Sequence, residues 1–252
     1  MKRTVNVKNI AIGDGSAKIC IPIVGSTLEQ IQEEALYLKT VDFDIVEWRA
    51  DFYHHVESIE HVLKALSEVR SILPEVPIIF TFRSLKEGGE KEIDLEYYFS
   101  INRAVVESGQ ADIIDIEFFN REDDIKNMLE FAHAKQIPVI LSNHDFNKTP
   151  AKDEIVSRLK KAQELGGDIA KIAVMPQTPA DVLTLLDATN TMNEKYADRP
   201  IITMSMGPLG VISRLAGEIF GSALTFGAAK KTSAPGQVPA GELKRILDIL
   251  HT

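Results

Sequence analysis

The sequence predicts a closed (β/α)8 TIM barrel with an N-terminal β-hairpin across its bottom. Two observations carry this reading. β-branched apolar runs recur eight times along the 252 residues, and charged stretches with apolar residues at three- and four-residue steps separate them. A third observation favours the barrel over an open doubly wound sheet, because no Gly-x-Gly-x-x-Gly follows the first run.

The elements follow in order. Val5-Asn6-Val7 and Ala11-Ile12 flank polar residues, with Gly13-Asp14-Gly15 as a turn signal, and read as a hairpin within residues 1–16. The barrel strands are expected at Lys18 to Gly25, Ile45 to Asp51, Pro77 to Arg83, Ile113 to Phe118, Pro138 to Asp145, Ile169 to Val174, Pro200 to Met206 and Ala223 to Gly227. Outer helices are expected at Thr27 to Thr40, Ser58 to Leu73, Asp94 to Ser108, Arg121 to Gln136 and Lys152 to Leu165. Pro77, Pro138 and Pro200 each open a run just after a polar helix end, where a helix stops and a strand begins. The stretch Ala228 to Ala240, rich in Lys, Ser, Pro and Gly, is the one long loop and reads as a lid, with Lys230 and Lys231 as its protease-sensitive positions. No linker divides the chain, so residues 1–252 are expected to form a single domain.

Composition narrows the function classes. With 44% hydrophobic and 26% charged residues the chain is an ordinary globular protein, and no apolar run approaches the ~20 residues that span a bilayer. The N-terminus lacks a signal-peptide apolar block, so a cytoplasmic protein without a membrane partner is expected. A formal charge of -9 argues against a nucleic-acid surface. The lone Cys20, inside Ile19-Cys20-Ile21-Pro22-Ile23, excludes a disulfide framework and reads as a small buried hydrophobe.

Lys171 is the most informative residue, because it interrupts Ile169-Ala170-Lys171-Ile172-Ala173-Val174, a run apolar on both faces. Burial disfavours the ammonium and turns such an amine into a nucleophile able to condense with a carbonyl; an interior lysine paired with a carboxylate is the other reading. Barrel active sites sit at the C-terminal strand ends, where other strands deliver polar groups to the same level. Glu47, Arg49 and Asp51 alternate with apolar Val46, Trp48 and Ala50, which places the charged face inside. Arg83 ends the third run and Arg214 follows the seventh at a helix start, and two guanidinium groups imply an anionic ligand, carboxylate or phosphate. Of the six histidines, His144 alone ends a barrel strand and is the natural acid–base group. Glu87, four residues past Arg83, is placed to accept the second imidazole N–H. His144-Asp145 also reads as a metal-ligand pair, but imine chemistry needs no metal, and neither a metal nor another cofactor is expected.

Together, Glu47-Trp48-Arg49-Ala50-Asp51, Phe80-Thr81-Phe82-Arg83 with Glu87-Gly88-Gly89, Ser142-Asn143-His144-Asp145-Phe146, Ala170-Lys171-Ile172-Ala173, Met204-Ser205-Met206-Gly207 with Ser213-Arg214, and Ser233-Ala234-Pro235-Gly236-Gln237 closely resemble the type I 3-dehydroquinate dehydratases. These are the Schiff-base-forming dehydratases of the shikimate pathway, and the resemblance spans nearly the whole chain. It implies an imine between Lys171 and the C3 ketone of 3-dehydroquinate, removal of the C2 proton by His144, and departure of the C1 hydroxyl by syn elimination to 3-dehydroshikimate. It also implies that Glu87 orients His144, that Arg214 pairs with the substrate carboxylate, and that Glu47, Arg49, Arg83, Ser233 and Gln237 bind ring hydroxyls or close the lid. Met204 and Met206 would line the pocket, and the protein would be a homodimer. One departure is visible: where the family can place a serine near the end of the first strand, this chain has Ile21-Pro22-Ile23. No first-strand contact is expected. Lys171 and His144 alone are also compatible with a lysine-imine aldolase-type lyase, and a salt-bridged Lys171 with a non-catalytic barrel that binds an anionic metabolite.

Overall fold

The computed structural model describes residues 2–229 and 232–251. Its first element is an antiparallel hairpin, β1 (Val5–Val7) and β2 (Ile10–Ile12), in register Val5↔Ile12. The turn between them is Lys8-Asn9, with Lys8 at φ 50, and not Gly13-Asp14-Gly15, which follows β2. Glycine is the residue that most readily takes positive φ, yet in this turn a lysine adopts it.

Eight parallel strands follow: β3 (Lys18–Ile23), β4 (Ile45–Arg49), β5 (Ile78–Thr81), β6 (Ile113–Glu117), β7 (Val139–Asp145), β8 (Ile169–Val174), β9 (Ile201–Ser205) and β10 (Leu224–Ala228). β3 to β9 each lie within a run expected from sequence, β10 extends one residue past the expected end at Gly227, and β3 to β9 pair with their sequence neighbours. The curled sheet meets itself at its lower rim, where Ile201 bridges Ser222 and the Ala223 N–H donates to the Ile201 carbonyl at 2.8 Å. Above that bridge β9 has no continuous strand partner on this side. Side chains supply what a ladder would: the Thr203 N–H donates to Ser222 Oγ at 3.0 Å and the Ser205 N–H to Ser213 Oγ at 2.8 Å. Ser213 lies on the short helix Val211–Leu215, so the gap in the barrel is the place where a helix enters and delivers Arg214.

Helices α1 (Leu28–Leu38), α2 (Ile59–Ile72), α3 (Leu95–Ser108), α4 (Glu122–Ala134), α5 (Lys152–Glu164), α6 (Pro179–Lys195), α7 (Val211–Leu215) and α8 (Ala240–Leu250) occupy the connections and the C-terminus. Their limits have local causes. Thr27 and Asp94 cap α1 and α3 by accepting the N–H groups of Gln30 and Tyr97, and Gly109, at φ 63, ends α3 in the left-handed conformation. Pro179 opens α6, where the Asp181 carboxylate accepts the Thr178 N–H at 2.8 Å. The loop read as a lid is shorter than Ala228 to Ala240: Val238–Pro239 form a short strand, β11, on β10, and Ala240 already begins α8. Lys230 and Lys231 lie outside the described residues.

Two buried layers position the chemistry. Outward side chains such as Trp48, Phe80, Ile114, Leu141 and Ile172 pack under the helices. The inward set begins at the bottom as a plug of Cys20, Ile45, Ile79, Ile113, Ile140, Ile169, Ile202 and Leu224, sealed by Val5, Val7 and Ile12 of the hairpin. Because strand side chains alternate, the next inward position lies two residues further on. There Ile45 gives way to Glu47, Ile79 to Thr81, Ile113 to Asp115, Ile140 to Ser142, Ile169 to Lys171 and Leu224 to Phe226. One step up, five of the strands, β4 to β8, thus convert an apolar floor into a polar layer, while β9 and β10 present Met204 and Phe226 there. On β3 the corresponding step leads from Cys20 to Pro22, which offers no polar group.

Candidate active site

A cavity opens above that polar layer. Glu47, Arg49, Arg83, Glu87, His144, Lys171, Met204, Met206, Arg214, Ser233 and Gln237 all line it, so every residue singled out from sequence as catalytic or substrate-contacting reaches one space. No residue of β3 does.

Lys171 is 5% exposed. Its Nζ lies 3.0 Å from Asp115 Oδ2 and 3.5 Å from Glu47 Oε1, and 4.7 Å from the centre of the Phe226 ring. The reading of an interior lysine paired with a carboxylate is therefore met at the same time as the reading of a cavity amine. Thr81 anchors Glu47 by donating to Oε1 at 3.0 Å. Asp115 is fully buried, and its Oδ1 accepts from Arg83 Nη2 at 2.6 Å and from Ser142 Oγ at 2.5 Å. Burial alone would raise this carboxyl, but Arg83, Lys171 and Ser142 hold it down at about 2.

Asp115, Glu117 and Ser142 were missed from sequence. Arg83 Nη1 reaches Glu117 at 3.1 Å and donates to Ser142 Oγ at 2.9 Å, so this guanidinium is largely committed to protein groups. The signal for the acids was present: Ile113-Ile114-Asp115-Ile116-Glu117 alternates as Glu47-Trp48-Arg49 does, with acids on the inward positions.

His144 sits beside Glu87, with Nδ1 2.9 Å from Glu87 Oε2. The same Oε2 accepts the His144 backbone N–H at 3.0 Å, which holds the carboxyl group against both ends of the residue. With Oε2 acting as the acceptor, the proton belongs on Nδ1, and Nε2 is left as the basic nitrogen. Burial, reinforced by Arg83, Lys171 and Arg49, pushes His144 well below the ordinary histidine range. The imidazole is accordingly neutral and ready to take a proton at neutral pH. Burial likewise pushes Glu87 up to about 8, since the carboxylates Glu117 and Asp115 oppose the relief offered by Arg83 at 3.6 Å.

That shift has a sign that can be checked in stability. A carboxyl raised above its unfolded value contributes stability that is fully present below about 4.5 and is lost as pH rises through about 8. Glu87→Gln removes the titration, so its thermal midpoint relative to the parent should climb between pH 5 and pH 8. A gap that stays flat over that window would show that Glu87 is not held protonated.

Arg214 is 1% exposed, its Nε has no hydrogen-bond partner, and burial lowers it to about 10. A buried guanidinium aimed at a cavity with a free donor calls for an anion. Its Nη2 donates to the Pro235 carbonyl at 3.2 Å, and Arg49, held by Asp51 at 2.8 Å, donates through Nη1 to the Ser233 carbonyl at 3.3 Å. Two site arginines thus hold the segment 232–237 over the cavity. Within it, Gln237 Oε1 accepts the Ser233 N–H at 2.9 Å, and Nε2 donates to Ser233 Oγ at 3.1 Å. Gly236, at φ 80, lies so close to Gly207 that a Cβ would come within 2.4 Å of its carbonyl oxygen.

Burial pushes the Cys20 thiol well up, as expected of a packing residue. Among the described residues no group of three or more His, Cys, Asp or Glu side chains is arranged to hold a metal ion, and no helix is long and apolar enough to cross a membrane.

A family model described as type I 3-dehydroquinase matches residues 19–252. A 3-dehydroquinate dehydratase of Bacillus licheniformis is 64% identical over 251 residues, covering 100% of this chain and 99% of that protein. Among solved structures, a type I 3-dehydroquinate dehydratase from Clostridium difficile, with covalently modified comenic acid, superposes with a TM-score of 0.97 at 56% identity, over 100% of this chain and 98% of that one. The 3-dehydroquinate dehydratase of Enterococcus faecalis superposes with a TM-score of 0.93 at 44% identity, over 98% and 100%. The inward amine, the neutral imidazole with its carboxyl partner and the anion-seeking arginine lie in a chain that matches this one family nearly from end to end, and the chain belongs to the type I 3-dehydroquinase family.

Proposed function

We propose that the chain dehydrates 3-dehydroquinate to 3-dehydroshikimate through an imine on Lys171. The observation that carries this is the placement of Lys171 Nζ in the same cavity as a neutral His144 and a buried, incompletely satisfied Arg214. Arg214 takes the substrate carboxylate and so sets the ring with its C3 ketone toward Lys171. The amine must lose a proton before it attacks, and His144 is the neutral base of the cavity. Condensation releases the ketone oxygen as water and leaves an iminium that draws electrons from the neighbouring C2–H bond. His144 removes that C2 proton and returns it to the departing C1 hydroxyl, so that one imidazole serves both steps on one face of the ring. Hydrolysis of the imine frees the product and Lys171.

Glu87 orients His144 through Nδ1. Glu47, Arg49, Ser233 and Gln237 meet the ring hydroxyls. Arg83, already held by three protein groups, acts chiefly through its positive potential. Met204 and Met206 shape the wall. In the same reading the chain acts as one domain, as a homodimer, in the cytoplasm, and without metal or cofactor.

The test is direct. Purified protein given 3-dehydroquinate should generate the ultraviolet absorbance of a conjugated enone carboxylate; a folded sample that binds the compound without producing it would overturn the assignment. The lid makes a second expectation. Gly236→Ala places a Cβ against backbone at a positive φ, a strain of about 1–3 kcal/mol, and should raise KM by roughly 10-fold or more while lowering the melting temperature by a few degrees. Unchanged steady-state constants would mean that closure of this segment contributes nothing to binding.

A further inference from the structure

The iminium needs a counter-charge, and two carboxylates compete for that role. When an ammonium condenses with a ketone, two of its three N–H protons leave with the carbonyl oxygen as water. The product retains one N–H and the positive charge, and so requires one acceptor. Glu47 Oε1 lies 3.5 Å from Nζ and already accepts from Thr81. Asp115 Oδ2 lies at 3.0 Å, with Lys171 as its one hydrogen-bond partner among the described residues, while Oδ1 is saturated by Arg83 and Ser142. We infer that Asp115 is the counter-ion of the Lys171 iminium, the group that keeps the imine nitrogen protonated through the elimination. The inference rests on the imine chemistry proposed above and assigns it a residue for which the sequence had suggested no role.

Three features fit the role. Asp115 reaches Lys171 across β7, whose Ser142 is in register with Lys171 on one side and with Glu117, two residues past Asp115, on the other, and donates through Oγ to the Asp115 carboxylate. Its two external donors remove the freedom to rotate, so the oxygen facing Nζ stays in place when the ammonium becomes an iminium. Arg83 and Ser142 also keep it ionised, which makes it a poor proton acceptor and a durable negative charge. The Phe226 ring closes another side of Nζ without offering a proton acceptor. The remaining charged or titratable groups around the amine are Glu47 from β4, Glu87 after β5, the guanidiniums of Arg49, Arg83 and Arg214, His144 from β7 and the buried Cys20 thiol of β3. The cations disfavour a protonated imine, so the nearest full negative charge decides its state.

Loss of that charge should deprotonate the imine at neutral pH and destroy the electron sink. Cyanoborohydride reads this directly, because it reduces protonated iminium far faster than neutral imine. With 3-dehydroquinate and cyanoborohydride, mass spectrometry of the parent protein should show adduct formation at a rate nearly constant from pH 6 to pH 8. In Asp115→Asn the rate should fall with pH and lie roughly 10- to 100-fold below the parent at pH 8, while recovering at pH 6. Asp115→Glu should restore part of it. Glu47→Gln should leave the pH profile flat, whatever it does to turnover, and this variant decides the matter even where Asp115→Asn fails to fold. A sloping profile in Glu47→Gln, or a flat one in folded Asp115→Asn, would overturn the assignment. A parent protein that forms no adduct at all would instead refute the imine reading itself.

Discussion

Lys171→Met should abolish turnover, lowering kcat by at least about 10,000-fold, because among the described residues no other one lining the cavity offers a primary amine and the elimination loses its electron sink. Methionine matches the length of the lysine stem, so the cavity should keep its shape. Asp115 would still be bound by Arg83 and Ser142, and Glu47 by Thr81. The stability cost should therefore be about 1–3 kcal/mol, at the mild end for breaking a buried ion pair. Paired measurements of kcat and of urea unfolding separate the two effects. A variant that retains activity within tenfold of the parent would remove Lys171 from the chemistry.

His144→Ala should fail at a different step. The amine and Asp115 remain, so substrate still condenses, more slowly for want of the base that deprotonates the amine, but the C2 proton has no base and the C1 hydroxyl no acid. A fall in kcat of roughly 100- to 10,000-fold is expected, the range for loss of one positioned acid–base group. The stalled species should then accumulate, and borohydride should trap an adduct of substrate mass rather than one lighter by a molecule of water. Added imidazole should recover part of the rate. Trapping of product-mass adduct at the parental rate would show that another group moves the proton.

Much of this site was legible in the sequence because barrel strands translate alternation into direction. In Ile45-Val46-Glu47-Trp48-Arg49 the apolar partners of the charged residues show which face lies under helices, and the structure packs Trp48 against Phe80 on that side while Glu47 and Arg49 face the cavity. Lys171 stood out because nothing around it in sequence could solvate it. Asp115 obeys the same alternation yet was passed over, since an acid at the second inward position of a strand draws little notice until a lysine 56 residues away is known to face it. That pairing depends on the register of β6, β7 and β8, which local pattern does not encode. The hairpin turn was misplaced for a related reason. Glycines advertise positive φ, but the β1–β2 register is set by which of Val5, Val7 and Ile12 must seal the barrel floor, and that requirement places the turn at Lys8-Asn9. The lid was drawn too long because Val238–Pro239 is too short to read as a strand without β10 beside it.

Peptide mass spectrometry after borohydride reduction, with and without 3-dehydroquinate, tests the covalent claim most directly. The account predicts a reduced adduct confined to the peptide containing Lys171, present only when both reagents are added and absent from Lys171→Met. Turnover of 3-dehydroquinate by a folded protein that yields no such adduct, or one on a different lysine, would contradict it.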